Sequence, residues 1–285
     1  MNRRLLFFIA LICVPMLVAA QKPAYVLYNK KGKQVKYNNL VKDMSKNDVV
    51  LFGELHDNPI AHWLQLETLK EVANKADVIL GGEFFEADVQ VVIDEYMAGL
   101  IPMAHLEREA RVWPNFSTDY RPLLSFAQEN NVPFVATNIP RRYAGFAAKH
   151  GKDSLEKFSE QAKGYMVPLP FTYDEELKSY KQMKDMAAHA HGMKHMVDAQ
   201  AVKDATMAHR IMKHREEGKV FFHINGAYHS DYYEGIYWFL NQENPEMSIL
   251  TITTVEAENP EKLEEEVFEK ADYIIAVPKT MTSTH

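Results

Sequence analysis

The sequence predicts an α/β protein with a mostly parallel, doubly wound sheet flanked by helices and an inserted helical subdomain. Short apolar runs rich in Val, Ile and Phe alternate with stretches of helical periodicity. That alternation is typical of parallel strands joined by crossover helices. Several runs also end in polar groups, as expected where the carboxyl ends of parallel strands meet at one edge of a sheet.

The first twenty residues have the pattern of a secretory signal peptide. Two arginines precede an apolar run over residues 5–17, and small residues at 18–20 suit cleavage before Gln21. The run is shorter than the roughly 18 to 20 apolar residues of a membrane-spanning helix. We therefore expect an exported mature domain over residues 21–285, in the periplasm or at the outer surface, with no transmembrane segment.

Cysteine content and net charge bear on disulfides, lipid anchoring and nucleic-acid binding. Cys13 is the only cysteine and lies inside the apolar run, so no disulfide is expected in the mature domain. Ile12 stands where a lipoprotein signal has a small residue, so we do not expect a lipid anchor on Cys13. The formal net charge is -7, and the chain has no basic run, which argues against nucleic acid as a partner.

The main sheet is predicted to begin with a strand over residues 49–52, buried on both faces. Gly53 ends it at a sharp turn, and the turn carries Glu54 and His56. Asn58 suits the N-cap of the helix that follows, with proline at the first helical position.

The remaining strands are predicted from similar runs. Residues 25–37 predict a small hairpin ahead of the sheet. Five further strands are predicted at 78–83, 132–138, 219–225, 248–255 and 273–277. Two intervals, at about 88–120 and 154–215, are too long for simple crossovers, so we expect them to be helical insertions over one edge of the sheet, with a length typical of a lid.

Polar side chains follow four of these strands. Glu54 and His56 follow the first, Glu83 follows two glycines, Arg141 follows the third and His229 follows the fourth. Each alone is often a capping or surface charge. Agreement between four strand ends favours a functional site. By contrast, His223 lies within an apolar run and is more typical of a hydrogen-bonded core histidine.

Two copies of Gly-x-x-His sharpen this prediction, because each places a histidine just past a strand end. Glu54, His56, Glu83 and His229 together would suit a divalent ion such as Zn²⁺, Mn²⁺ or Fe²⁺. The alternative function is then a metal-dependent hydrolase of protease or esterase type, with a carboxylate as general base and Arg141 stabilising negative charge. The sequence contains no His-Glu-x-x-His and no Gly-x-Ser-x-Gly.

The second insertion is rich in Tyr, His and Met. Its methionines follow steps of three and four, so the simplest interpretation is a core stripe. His191 and His195 are four residues apart and would share a helix face, although Gly192 between them weakens the helix.

Several separated motifs, in order, resemble the ChaN-like haem-binding proteins within the broader Tiki, TraB and erythromycin-esterase-like superfamily. They are Gly53 to Asn58, Gly81 to Glu83, Tyr120 to Leu123, Ala136 to Arg141, Ala199-Gln200 with Asp204 to Ala208, and Gly226 with His229. The resemblance implies an α/β core with a helical subdomain, export, haem binding linked to iron acquisition, and a haem-linked homodimer. Tyr228 departs from the shorter turn expected in the last motif.

We therefore expect a haem-binding protein that is not primarily an enzyme, with haem between the sheet's carboxyl edge and the inserted helices. Haem needs an apolar slot, a cationic or donor rim and one axial ligand. The ligand candidates are Tyr180, His191 and His195, followed by Tyr173 and His189. Further candidates line the slot or meet the propionates: Met186, Met193, Lys181, Lys184, Lys194 and Arg141.

Overall fold

The structure is a computed structural model that describes residues 22–188 and 195–284, with side chains throughout those ranges except at 186–188. The predicted signal peptide, His189 and His191 therefore lie outside the described residues. Within them, no helix combines the length and the hydropathy that a bilayer span requires.

Seven strands form one mixed sheet. They are β1 (Val26–Asn29), β2 (Val49–Glu54), β3 (Val78–Glu86), β4 (Phe134–Asn138), β5 (Val220–Gly226), β6 (Ile249–Ala257) and β7 (Tyr273–Pro278). Their order across the sheet is β1-β7-β6-β2-β5-β3-β4. In the described part of the chain β1 pairs antiparallel with β7 and the other pairings are parallel. The predicted fold class is confirmed.

Helices connect these strands and cover both faces of the sheet. They are α1 (Tyr37–Met44), α2 (Pro59–Ala73), α3 (Gln90–Met97), α4 (Met103–Glu109), α5 (Phe116–Asp119), α6 (Arg121–Glu129), α7 (Arg141–His150), α8 (Glu160–Lys163), α9 (Lys178–Ala188), α10 (Met196–His214) and α11 (Ile236–Glu243). The first predicted insertion contains α3, α4 and α5. The second contains α8, α9 and α10, and α10 packs against α7, α11 and β4.

Strand β2 shows why its sequence is apolar at every position. Val50 and Phe52 face the core shared with α1, α2 and α6, whereas Val49 and Leu51 face the core shared with α10 and α11. Successive strand residues point to opposite faces, and here both faces are covered.

The turn after β2 is fixed by the helix that follows it. The side chain of Asn58 accepts hydrogen bonds from the backbone amides of Ile60 and Ala61, both at 3.1 Å, and Pro59 is the first helical residue. The predicted N-cap is confirmed. It holds the turn that carries Glu54 and His56 against the edge of the sheet.

The hairpin predicted at residues 25–37 is present as a short antiparallel return: the Asn29 amide donates to the Lys33 carbonyl at 3.0 Å, the Val35 amide donates to the Leu27 carbonyl at 2.9 Å, and Tyr28 bridges to Gln34. It does not stand ahead of the sheet, because its first strand, β1, joins the sheet by pairing with β7. Gly32, with φ +70°, turns the chain before α1 begins. A two-stranded hairpin is marginally stable alone, whereas joining the main sheet buries the apolar side chains of β1.

Candidate functional site

The strand order brings the two Gly-x-x-His segments side by side. We call residues 53–56 the first turn and residues 226–229 the second turn. β2 pairs with β5, and Glu54 at the end of β2 is in register with Gly226 at the end of β5. A Cβ at Gly226 would lie 2.8 Å from Nε2 of His56. Glycine at this position therefore lets the first turn close over the second.

The first turn carries a carboxylate–imidazole pair. Nδ1 of His56 lies 2.9 Å from Oε1 of Glu54, and Glu54 is only 3% exposed. The Tyr120 hydroxyl donates to Oε1 and the Gln65 amide donates to Oε2, each at 2.5 Å. Trp113 packs edge-on against the imidazole, with ring centroids 4.9 Å apart. Both carboxylate oxygens thus have donors that orient them.

The His56 imidazole remains accessible, since its side chain is 45% exposed. Partial burial lowers its pKa, but the hydrogen bond to Glu54 and the charges of Glu83 and Glu54 outweigh burial, so the net pKa is raised. Burial and the Glu54 charge also raise the pKa of Tyr120, which keeps its hydroxyl protonated as a donor.

The second turn carries a buried network instead. Nε2 of His229 lies 3.1 Å from Oε1 of Glu83, and Nδ1 contacts a carboxylate oxygen of Asp204. The amide of Gln200 lies 2.9 Å from the same Nδ1. The Tyr180 hydroxyl donates to the other Asp204 oxygen at 2.8 Å. His229 is therefore clamped between two carboxylates.

This clamp fixes the charge of His229. Burial lowers the pKa of His229, but the charges of Glu83 and Asp204 and the hydrogen bonds to both raise it to about 10. The pKa of Glu83 is lowered despite burial, because His229 is charged beside it and the Gly226 amide donates to it at 2.8 Å. At neutral pH the network contains an imidazolium.

A cavity of about 810 Å³ opens at this edge of the sheet. Its lining combines both turns with the ends of β6 and with α9 and α10, which contribute Met183 and Gln200. The volume is within the range of small-molecule and cofactor sites. The inserted helices thus lie over the carboxyl edge, as the sequence predicts.

The four residues of the predicted metal set are brought to one edge, but as two hydrogen-bonded pairs. Among the described residues, no group of three or more His, Cys, Asp and Glu side chains is arranged to hold a metal ion. The predicted divalent metal stays a prediction.

Arg141 lies apart from the 810 Å³ cavity. Its guanidinium pairs with Glu86, which also accepts from Arg111 at 2.8 Å. It borders a separate cavity of about 420 Å³ between α7 and α10. Arg141 therefore does not border the 810 Å³ cavity, whereas Glu83, which contacts His229, borders the 420 Å³ cavity together with Arg141.

Three of the predicted haem ligands lie together in a different place. Tyr173, Tyr180 and His195 border a cleft of about 160 Å³. Asp198 accepts from the Tyr173 hydroxyl at 2.9 Å and lies 3.0 Å from Nδ1 of His195. Tyr180 is 1% exposed, and its hydroxyl is directed at Asp204.

The remaining insertion candidates have other partners or are not described. Lys181 pairs with Glu176 at 2.6 Å, and Lys184 lies 3.6 Å from Glu175. Met193, Lys194 and the side chain of Met186 lie outside the description, as do His189 and His191.

His223 and Tyr228 have structural contacts. His223 is fully buried and hydrogen-bonded to Thr137 at 2.8 Å, and burial lowers its pKa to about 4. The core-histidine interpretation is confirmed. The Tyr228 hydroxyl donates to the Ser179 carbonyl at 2.5 Å, which ties the second turn to the first turn of α9.

Sequence reasoning assigned no role to the groups that orient the two imidazoles. Gln65, Tyr120, Gln200 and Asp204 come from α2, the start of α6 and α10. Tyr120, Gln200 and Asp204 do fall within the motifs that carry the family resemblance, which was the available signal. Their spacing alone does not show which strand end each one reaches.

A family model described as "Haem-binding uptake, Tiki superfamily, ChaN" matches residues 40–240. The chain belongs to this family. ChaN-family membership agrees with the fold, because a structure titled "Cofacial heme binding to ChaN of Campylobacter jejuni" superposes with a TM-score of 0.67 at 16% identity, covering 88% of this chain and 96% of that one.

Two further structures have related folds. One is a Bacillus cereus protein with a TM-score of 0.52 and 11% identity, covering 86% of this chain and 92% of that one. The other is an open-conformation H289N mutant of the erythromycin esterase EreC, with a TM-score of 0.50 and 9% identity. The match covers 88% of this chain and 97% of that one. These likenesses show the fold alone. No curated protein sequence matches the chain significantly.

Proposed function

We propose that this protein is exported, binds haem in the 810 Å³ cavity, and acts in haem or iron acquisition. One observation supports this location for the haem. This cavity lies where the sheet's carboxyl edge meets α9 and α10, and it is bordered by the accessible imidazole of His56. Family membership supports the choice of ligand.

The residues of the cavity fit the chemical needs of haem. An apolar disc requires an apolar slot, a cationic group for propionates and a donor to iron. The apolar part of the lining consists of Leu55, Met183, Ala227, Val255 and Val267. The cationic group is Lys270, whose ammonium lies 2.8 Å from Asp231.

His56 is the axial ligand that this geometry favours. Glu54 holds its Nδ1, and carboxylate partners of this kind orient metal-ligating histidines and raise their basicity. His195 and Tyr173 remain predicted ligands, but their 160 Å³ cleft is below the size of a typical cofactor site, so haem there would lie on the surface. Tyr180 would have to leave Asp204 before it could bind iron.

A haem titration of the domain over residues 21–285 tests the function. We expect a saturable Soret change at micromolar protein, weakened at least about tenfold in affinity by His56→Gln. His105→Gln is the matched control, because His105 is exposed on α4 and does not border the cavity. The absence of any saturable change in the wild type would contradict the function.

Two variants distinguish an error in the assigned iron ligand from a failure of the proposed function. If His56→Gln retained full affinity while a combined Tyr173→Phe and His195→Gln variant lost it, the site would move to the small cleft and haem binding would stand. Measuring mass in solution during the same titration tests the proposed haem-linked homodimer, because a dimer that binds haem across its interface must form more readily with haem.

A second candidate function is a metal-independent hydrolase. The Glu54–His56 pair favours it, since a carboxylate-oriented, half-exposed imidazole bordering a cavity can accept a proton from an attacking water. Hydrolysis of p-nitrophenyl acetate tests it: His56→Gln should lower the rate about 100-fold or more. A rate that this variant leaves unchanged would rule the hydrolase out.

A further inference from the structure

The segment over residues 279–284 lies along the edge that carries the cavity. The Lys279 amide donates to the Ala257 carbonyl at 2.9 Å, next to the end of β7. Five residues later the Thr284 amide donates to the Asp57 carbonyl at 3.0 Å. The segment therefore runs from the end of β7 to the turn that bears His56.

The Thr284 side chain reaches a buried carboxylate behind that turn. Its hydroxyl donates to Oδ2 of Asp119 at 2.7 Å, and it also lies 3.3 Å from the Asp57 carbonyl. Asp119 is 4% exposed and accepts from the Asn115 amide at 2.7 Å. The same Asn115 amide lies 2.8 Å from the His56 carbonyl. Thr284 is thus linked to the His56 carbonyl through two groups, Asp119 and Asn115.

A second route leads from Asp119 to the His56 imidazole. Nε2 of His62 lies 3.4 Å from Oδ2 of Asp119 and 3.1 Å from the His56 carbonyl. Nδ1 of His62 is hydrogen-bonded to Oε1 of Gln65 at 3.2 Å, and the Gln65 amide donates at 2.5 Å to Oε2 of Glu54, whose other oxygen holds the His56 ring. Thr284, Asp119, His62, Gln65, Glu54 and His56 form one connected polar network with a largely buried interior.

We propose that Thr284 is a positioning residue for His56. By binding the Asp57 carbonyl and Asp119 together, it holds the turn and its supporting carboxylate in the arrangement that keeps the Glu54–His56 hydrogen bond. Buried hydrogen-bonded networks depend on every member being satisfied. The consequence for ligand binding rests on the proposed function, whereas the consequence for the His56 ring does not.

Three variants on one segment test this inference. Thr284→Val keeps the shape but removes the hydroxyl, and Thr284→Ser restores it. Thr282→Val is the matched control, because Thr282 is exposed and its hydroxyl makes no hydrogen bond to a described residue. The readouts are the haem affinity and the chemical shift of the His56 ring proton at one fixed pH. This shift is assigned with His56→Gln and is sensitive to ring position, because Trp113 packs edge-on against the imidazole.

We expect Thr284→Val to shift the His56 ring-proton resonance and to weaken haem binding roughly threefold to tenfold, as loss of one buried hydrogen bond would. Thr284→Ser should restore both values, and Thr282→Val should change neither. A ring-proton shift that is equal in Thr284→Val and Thr282→Val would overturn the inference. If the wild type binds no haem, the proposed function fails, and the ring-proton shift still decides the role of Thr284.

Discussion

The two Gly-x-x-His turns have the same pattern and adjacent positions, yet they hold their histidines in opposite states. His229 is buried between Glu83 and Asp204 and is held charged. His56 has one carboxylate partner and an exposed face on the cavity. A shared motif therefore places an imidazole at a strand end, while the helix packed over that end decides whether the imidazole is a structural cation or an available ligand.

The largest effect that separates the turns is on stability. His229→Gln removes a buried cation and leaves two buried carboxylates without it, so we expect the free energy of unfolding to fall by about 3 to 5 kcal/mol. His56→Gln should cost less than about 1 kcal/mol, because that side chain is half exposed. Urea unfolding at pH 7 measures both. Equal losses would show that burial does not distinguish the turns.

The pH dependence of stability should follow from the His229 charge. Its pKa is about 10 in the folded protein and about 6.5 when unfolded. The folded state thus holds an extra proton between these values, and the free energy of unfolding should fall as pH rises through this window, by up to about 1.4 kcal/mol per pH unit.

Urea unfolding at pH 7, 8 and 9 checks this slope. His229→Gln should flatten it, whereas His56→Gln should leave most of it. A slope that persists unchanged in His229→Gln would mean that another group carries the proton.

A smaller effect comes from the glycine where the turns meet. Gly226→Ala places a Cβ 2.8 Å from Nε2 of His56 and 3.5 Å from Oε2 of Glu83. The imidazole must move, and because this ring is half exposed we expect a loss of no more than about 1 kcal/mol in the free energy of unfolding, together with weaker haem binding. Gly145→Ala is the control, since nothing lies within 4 Å of its added Cβ and alanine favours the helix by about 0.5 to 1 kcal/mol.

A Gly226→Ala variant as stable as Gly145→Ala would contradict the close packing of the two turns. Thermal unfolding of both variants alongside the wild type is sufficient to show it.

The part of the fold that the sequence predicts well is local. The run at 49–52 and the cap at Asn58 are each specified by neighbouring residues, and the structure has both as predicted. The turn predicted at Gly53 is wrong, because β2 continues through Gly53, paired on both sides, and ends at Glu54. The convergence of Glu54, His56, Glu83 and His229 at one edge also follows, because parallel strands end on the same side.

What the sequence could not predict depends on distant packing. Asp204 comes from the middle of α10 and meets His229 only because that helix covers the end of β5. Arg141 forms an ion pair with Glu86, because β3 continues past Glu83 and ends at Glu86. Neither contact leaves a periodic pattern, so the sequence does not show which carboxylate each histidine or arginine meets.

Narrowing one pocket at a time tests most directly whether haem binds beside His56. Val255→Trp places an indole in the 810 Å³ cavity and narrows it, and Val197→Trp does the same in the 160 Å³ cleft beside His195. If haem binds beside His56, Val255→Trp should weaken haem binding roughly 100-fold, about 2.7 kcal/mol, while Val197→Trp stays within about threefold of the wild type. The reverse pattern, with both variants folded, would contradict the account and place haem at the cleft.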